Sequence, residues 1–174
     1  MDEKNRGIET WKEHTTAFDR VRSIAQGLSQ PQTAGYIANE AAVSETTAHS
    51  HLKRLVDMNI IREITDTDAV RYEPDPLYTR FAMLRSLIDK HDHQELLKLK
   101  SDLQQQVEQF TEEQQRSSPA ELRKYGAETD TSSETEQLLT AASEWDMALF
   151  HLEIVNDAIE NYTLYTSLNG SALV

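Results

Sequence analysis

Residues 33–55, TAGYIANEAAVSETTAHSHLKRL, constrain the fold of this chain more than any other segment. Apolar residues within 33–41 recur at i, i+3, i+4 and i+7, a spacing that predicts a short amphipathic helix. Ala42 and Val43 then make a turn. Ser44 follows where a second helix needs an N-cap, because its hydroxyl can accept from the free amides of the first turn. The segment therefore predicts two short helices joined by a tight turn, a helix-turn-helix.

The second predicted helix has an apolar face and a polar face. The apolar positions are Ala48, Leu52, Leu55 and Val56. The opposite face carries polar side chains able to reach a base edge or a phosphate, namely Glu45, Thr46, His49, Ser50 and Lys53. In DNA-reading proteins the second helix of such a pair lies in the major groove. An ordinary helical hairpin with a solvated face is the alternative interpretation.

A β-hairpin is predicted directly after this pair of helices. The β-branched run 60–64 predicts a strand, 65–68 a turn and 69–73 the returning strand, which Pro74 and Pro76 end. Upstream, an apolar stripe within 16–28 predicts a further helix. The first fourteen residues show no clear period, and Trp11 is the residue there expected to pack.

Short motifs spread over 16–78 carry a family resemblance. They are FDRVR at 18–22, PQT at 31–33, IA at 37–38, VSETTA at 43–48, HLKRL at 51–55 and YEPDP at 72–76. With these motifs, residues 16–78 resemble an ArsR-like winged helix-turn-helix. The whole chain is similar to a group of haloarchaeal winged-helix regulators in which a long helical tail follows the DNA-binding domain.

The resemblance implies that the polar face of the second helix and the tip of the wing contact DNA. Glu45 can accept from a cytosine amino group, and His49 or Lys53 can donate to guanine. Arg71, with Thr65 and Thr67, would hold the wing to the DNA backbone. The predicted DNA-binding residues are Ser44, Glu45, Thr46, Thr47, His49, Ser50, Lys53, Arg54, Thr67 and Arg71. Metal-sensing members of the family use cysteines, and this chain has none, so thiolate metal sensing is not implied.

The charge balance has the wrong sign for a protein whose affinity depends on phosphate contacts. The net charge is −13. Residues 1–78 hold nine Lys and Arg against thirteen Asp and Glu, and residues 79–174 hold eight against seventeen. Either the domain binds protein rather than DNA, or the host cytoplasm is very salty, since molar salt shortens the Debye length to about 3 Å. We favour the halophilic explanation because Lys53 and Arg54 balance Glu45 and Asp57 on the second helix.

Other functional classes find little support in the sequence. No apolar run approaches the ~18 residues that cross a bilayer, and no signal-peptide pattern is present, so we expect a cytoplasmic protein with no membrane partner. No phosphate-binding loop or catalytic constellation can be recognised, so no enzyme and no cofactor are predicted. His91 and Glu95 share a helix face as possible metal ligands, but solvated residues at a helix bend are the favoured interpretation, and no metal site is predicted.

The sequence predicts a division into a winged helix-turn-helix domain with its N-terminal arm, residues 1–78, and a helical domain, residues 79–174. Residues 79–115 lack Gly and Pro and would form a helix of about 55 Å if continuous, although residues 90–94 separate two apolar patches and shift the stripe. Capping boxes at 118–121 and 133–136 predict a short helix ending before Gly126 and a long helix to about Leu168. The apolar stripe of this long helix would be Leu138, Ala142, Trp145, Leu149, Leu152, Val155, Ile159 and Tyr162.

The predicted fold is therefore mainly α, a winged helix-turn-helix with a two-stranded wing followed by long antiparallel helices. Two helical hairpins from two chains would form a four-helix assembly, so a homodimer is expected, with a monomer whose tail packs on its own winged helix as the alternative. The predicted function is sequence-specific transcription regulation on double-stranded DNA. The alternative is an adaptor module that joins an assembly through its acidic tail and does not read DNA.

Overall fold

The computed structural model describes residues 3–66, 69–129 and 131–170. Most of these residues are helical, which confirms a mainly α fold. The chain divides into one unit that ends at Phe81 and a second that begins at Ala82. The elements before this division are α1 Glu3–His14, α2 Ala17–Gln26, β1 Gln32–Thr33, α3 Ala34–Glu40, α4 Glu45–Asp57, β2 Ile61–Asp66 and β3 Ala69–Pro74.

The sheet of the first unit has three antiparallel strands in the order β1-β3-β2, so the prediction of two strands was wrong. The additional strand, β1, pairs Gln32 with Tyr72 and Thr33 with Arg71. Thr33 is also the N-cap of α3, where its hydroxyl accepts from the amide of Tyr36 at 3.3 Å. A strand of two residues that ends at a helix cap is too short to produce an alternating pattern in the sequence.

The core of the first unit lies among α2, α3, α4 and the sheet. The fully buried side chains at its centre come from these elements: Val21, Ile37, Leu52, Leu55 and Ile61. The predicted helices α2, α3 and α4 are all present. Helix α1 was not predicted, because its polar residues give no hydrophobic period even though they include no proline to prevent a helix.

Helices α3 and α4 end in the same way. After α3, Ala42 adopts a left-handed conformation with φ of 51°, and the amide of Val43 donates to the carbonyl of Ala38 at 3.0 Å. After α4, Asn59 adopts φ of 55°, and the amide of Ile60 donates to the carbonyl of Leu55 at 3.0 Å. Both are Schellman caps, which turn the chain sharply and satisfy the last carbonyls of the helix.

Helix α5, Pro76–Lys90, contains the division between the units. The other helices of the second unit are α6 His93–Gln114, α7 Pro119–Gly126, α8 Ser132–Glu160 and α9 Tyr162–Gly170. A continuous helix over 79–115 does not form, because Asp92 makes a reciprocal capping box with Glu95 and starts α6 as a new helix. Among the described residues, no helix is long and apolar enough to cross a membrane.

Helices α6 and α8 run in opposite directions along each other. Near the start of α6, Leu96 packs with Ile154 and Ala158 of α8. Further along α6, the ring of Phe110 stacks on Trp145, with 5.9 Å between the ring centres. Helix α7 covers the same part of α8 through Leu122, which is buried against Trp145.

The structure corrects several predicted details of α7 and α8. The N-cap of α8 is Thr131 instead of Ser133, and the helix ends at Glu160, with a new helix after Asn161. Gly126 is the last residue of α7, whereas the helix was predicted to end before it. Leu149, predicted in the apolar stripe, is 38% exposed, whereas Ala148 is buried. The reason is that α8 packs on two separate clusters, so its buried face rotates along the helix and does not follow one stripe.

Candidate nucleic-acid interface

The buried face of α4 fixes which side chains the helix presents to solvent. Ala48, Leu52 and Leu55 are fully buried against α2, α3 and the sheet. The opposite side carries six of the predicted DNA-binding residues, and all are exposed: Glu45, Thr46, His49, Ser50, Lys53 and Arg54. The structure therefore brings these residues together along one exposed side of a short helix.

Ser44 and Thr47 form the start of α4. The hydroxyl of Ser44 accepts from the amide of Thr47 at 3.2 Å, and the two hydroxyl oxygens lie 2.8 Å apart. The predicted N-cap at Ser44 is confirmed. Both side chains thus have a structural role at the helix N-terminus, where an unsatisfied amide would otherwise face solvent.

Glu45 and His49 lie one helical turn apart. The Oε1 atom of Glu45 is 3.7 Å from Nε2 of His49, and both side chains are more than half exposed. The pair is ionic only when His49 is protonated. Because exposed pairs contribute little to stability, both side chains can exchange this contact for another partner at small energetic cost.

The side chain of Arg54 lies over an aromatic ring. Its guanidinium is 4.7 Å from the ring centre of Phe18 on α2. The same ring meets His51 edge-on, with 5.5 Å between the ring centres. Phe18 therefore contacts two side chains of α4. A cation–π contact of this kind stabilises the packing of α2 on α4 and gives Arg54 a structural partner that its sequence position did not indicate.

Arg20 of α2 is buried, with 8% of its surface exposed. Its Nε donates to the carbonyl of Ala41 at 2.9 Å, and its Nη1 donates to the carbonyl of Thr15 at 2.8 Å. The guanidinium also lies 5.9 Å from the ring centre of Trp11. Arg20 therefore ties α1 and α2 to the end of α3, where the turn toward α4 begins. Sequence reasoning missed this residue, since an arginine beside an apolar stripe is usually solvated.

The β2–β3 hairpin presents a second exposed surface. Arg62 and Glu73 form an ion pair across the two strands, with 2.5 Å between Nη2 and Oε1. Arg71, one of the predicted DNA-binding residues, is exposed on β3 opposite Ile64. Thr67, also predicted, lies outside the described residues.

Two pKa shifts in this unit accompany structural contacts. Burial raises the pKa of Tyr72, and the neighbouring Glu63 carboxylate raises it further. Hydrogen bonds from the Thr16 side chain and backbone lower the pKa of Asp19, which completes the capping box of α2. Neither residue belongs to the predicted DNA-binding set. Both pKa shifts therefore arise from contacts that hold the fold together.

The possible metal ligands noted in the sequence do not form a larger cluster. The Nδ1 atom of His91 lies 3.9 Å from Oε2 of Glu95, and that same oxygen accepts from the amide of Asp92 at 2.8 Å. Within the part of the chain that the structure describes, no group of three or more His, Cys, Asp or Glu side chains could hold a metal ion.

Residues 15–164 match the model of a protein family described as "Family of unknown function (DUF7342)". The chain belongs to the DUF7342 family. No curated protein matches the sequence. The DUF7342 match begins just before the N-cap of α2 and ends within α9, so it includes α4, the β2–β3 hairpin and most of the second unit.

Proposed function

We propose that this chain is a sequence-specific DNA-binding transcription regulator that acts as a homodimer, with a winged helix-turn-helix of the ArsR-like, haloarchaeal type. The observation that carries the proposal is the exposed polar side of α4. Packing of the opposite side in the core holds these polar side chains toward solvent. An antiparallel hairpin follows α4 directly in the chain. The element order α2, β1, α3, α4, β2, β3 supports the proposal, because three helices followed by an antiparallel hairpin are expected of a winged helix-turn-helix.

In this proposal α4 lies in the major groove. Glu45, Thr46, His49 and Ser50 occupy its first two turns, the part of a recognition helix that contacts base edges. Glu45 can accept from a cytosine amino group, while His49 and Lys53 can donate to guanine. Arg71 on β3 supplies a cation to the phosphate backbone, a contact that positions the protein without reading sequence.

Dimerisation would join two copies through the helical second unit. Several large apolar side chains remain exposed on its helices, including Leu97, Leu139, Met147, Leu164 and Leu168. The proposal places such side chains in the dimer interface, because contiguous apolar surface commonly marks a site of protein association. A two-fold dimer would present two copies of α4 to a pseudo-palindromic site.

The proposal is tested with duplexes that the wild-type chain selects from a random pool in molar KCl. In gel shifts on the selected duplex, we expect His49→Ala combined with Lys53→Ala to abolish specific binding, because both base-edge donors are lost. The matched control is His14→Ala combined with Lys12→Ala, which removes the same two side-chain types from exposed positions on α1. Unchanged affinity of the α4 variant would refute the assignment.

Light scattering on the same samples tests the oligomeric state. We expect twice the chain mass of 19.9 kDa for the wild type and for both double variants. A monomer mass for the wild-type chain would exclude the homodimer. A dimer that selects no duplex would exclude DNA reading.

The acidic balance favours a second candidate function, a winged-helix adaptor that binds protein. The first 78 residues carry four more acidic than basic side chains, and the remainder carries nine more. Failure to enrich any sequence from the random pool, across low and molar KCl, would favour the adaptor over the regulator.

A further inference from the structure

A pocket of about 250 Å³ opens in the second unit among α5, α6 and α8. Its wall is mainly aliphatic and includes Met83 from α5, Leu99 and Leu103 from α6, and Val155 from α8. Two polar side chains also line it, Ser86 of α5 and His151 of α8. A concave apolar surface with a few convergent polar groups is the usual form of a small-molecule site.

His151 is the ionisable residue in the wall of this pocket. The side chain is half buried, and it makes no hydrogen bond with another described residue. The Ser86 hydroxyl, on the facing helix, is likewise without a hydrogen-bond partner among the described residues. Both groups can therefore donate to a bound molecule. None of the described residues that line the pocket carries a carboxylate, so a cationic ligand would be desolvated there without a counter-ion from them.

The volume limits the size of the occupant. An engineered apolar cavity of about 150 Å³ holds benzene. The present pocket is larger, so it can accept a six-membered ring together with a small polar substituent. A second copy of the chain is the competing occupant, since Leu99 and Leu103 are only half buried.

We propose that this pocket binds a small aromatic monocarboxylate. The ring packs against Leu99 and Leu103, and the carboxylate accepts hydrogen bonds from His151 and Ser86. An apolar body matches the wall, while a carboxylate can accept from the two polar side chains and meets no acid among the described lining residues. This binding does not depend on whether the chain reads DNA.

Isothermal titration calorimetry on the full chain in molar KCl tests the proposal with three probes of one size. Benzoate carries the carboxylate, benzyl alcohol is neutral and benzylamine is cationic. We expect saturable binding of one benzoate per chain, weaker binding of benzyl alcohol and no binding of benzylamine. Absence of saturable benzoate binding up to about 10 mM, where affinity is only a few kcal/mol, would overturn the proposal.

Variants on α6 and α8 locate the site. Leu99→Trp fills the pocket and should abolish benzoate binding, whereas Ser101→Trp, at an exposed position of the same helix outside the pocket, should leave it unchanged. Leu103→Phe repeats the test if circular dichroism shows that Leu99→Trp does not fold. His151→Leu should weaken benzoate binding about tenfold, the loss expected for a hydrogen bond to a charged group, and leave benzyl alcohol within about twofold.

Two results would contradict the assignment of benzoate binding to this pocket. Benzoate binding that survives both Leu99→Trp and Leu103→Phe would place the ligand elsewhere. Sedimentation that shows a wild-type dimer which Leu99→Trp dissociates, without saturable benzoate binding to the wild type, would assign the pocket to self-association.

Discussion

Ala42 occupies a backbone conformation that glycine or asparagine usually fills. Its φ of 51° lies in the left-handed region, where a Cβ atom crowds the following carbonyl at a cost of about 1–2 kcal/mol. The equivalent position after α4 is Asn59, which tolerates the same region through its short polar side chain. The turn between α3 and α4 therefore stores strain that the turn after α4 largely avoids.

We expect Ala42→Gly to stabilise the protein by about 0.5–1 kcal/mol, since relief of the strain outweighs the added entropy of the unfolded chain. The measurement is the urea midpoint in molar KCl. Ala41→Gly is the matched control, because Ala41 has a right-handed conformation with φ of −79° and is fully buried. That control should destabilise; equal losses from both variants would contradict the strain argument.

At the level of single residues, the cap at Ser44 was predictable, whereas the cap at Thr131 and the burial of Arg20 were not. Ser44 was identified because a small hydroxyl residue directly precedes an amphipathic run. Arg20 was not, because its burial depends on carbonyl acceptors at Thr15 and Ala41 that only the folded chain brings near it. The conformation of Ala42 was equally hidden, since alanine gives no turn signal of its own.

At the scale of elements, the short helix α7 packs on α8 through a close contact at Gly126. Gly126 lies at the end of α7 and is buried. A Cβ atom at this position would lie 3.2 Å from Cβ of Leu138 on α8. Leu122, on the same helix, is buried in the cluster that contains Trp145. Gly126 therefore lies at the end of α7, close to the stop that the sequence predicted, and it also allows close packing on α8.

We expect Gly126→Val to destabilise the second unit by about 1–3 kcal/mol, because the larger side chain overpacks the contact with Leu138. Chemical denaturation followed by Trp fluorescence measures the effect, with Trp145 near the site. Ala120→Val, on an exposed position of α7, is the control and should change stability by less than about 0.5 kcal/mol. A tolerated valine at 126 would show that α7 can move away from α8.

The sequence predicted that the long elements of the second unit are helices, but it predicted their ends and buried faces less well. Apolar spacing indicated helices in the second unit and a shift of the stripe at residues 90–94, yet it did not show that a capping box at Asp92 starts a new helix there. It also placed Leu149 in a single stripe, although α8 serves two clusters in succession. One-dimensional periodicity assumes one partner per helix, and that assumption fails when a helix meets different neighbours along its length.

For the whole molecule, the charge balance determines the solvent in which the proposed function can operate. A net charge of −13 repels DNA at low ionic strength, and few cations are present to release counterions from phosphate. At molar salt, repulsion beyond about 3 Å is screened, so hydrogen bonds and shape at α4 can determine affinity.

We therefore expect specific DNA affinity to persist, or to rise, between physiological and molar KCl. Fluorescence anisotropy on the selected duplex, titrated at increasing KCl, measures this dependence. A scrambled duplex of equal length is the control for nonspecific binding. A steep loss of specific affinity across this range would show that phosphate contacts dominate and would contradict the halophilic explanation.

The exposed side of α4 contributes nothing to the fully buried core. Glu45, Thr46, His49, Ser50 and Lys53 can therefore be replaced while Ala48, Leu52 and Leu55 keep the helix in position. Substitutions on this surface therefore need not change the stability of the fold. Under the proposed function, gene duplicates could diversify the DNA sequences that they recognise without first evolving a more stable scaffold, and replacing these five residues could change the specificity.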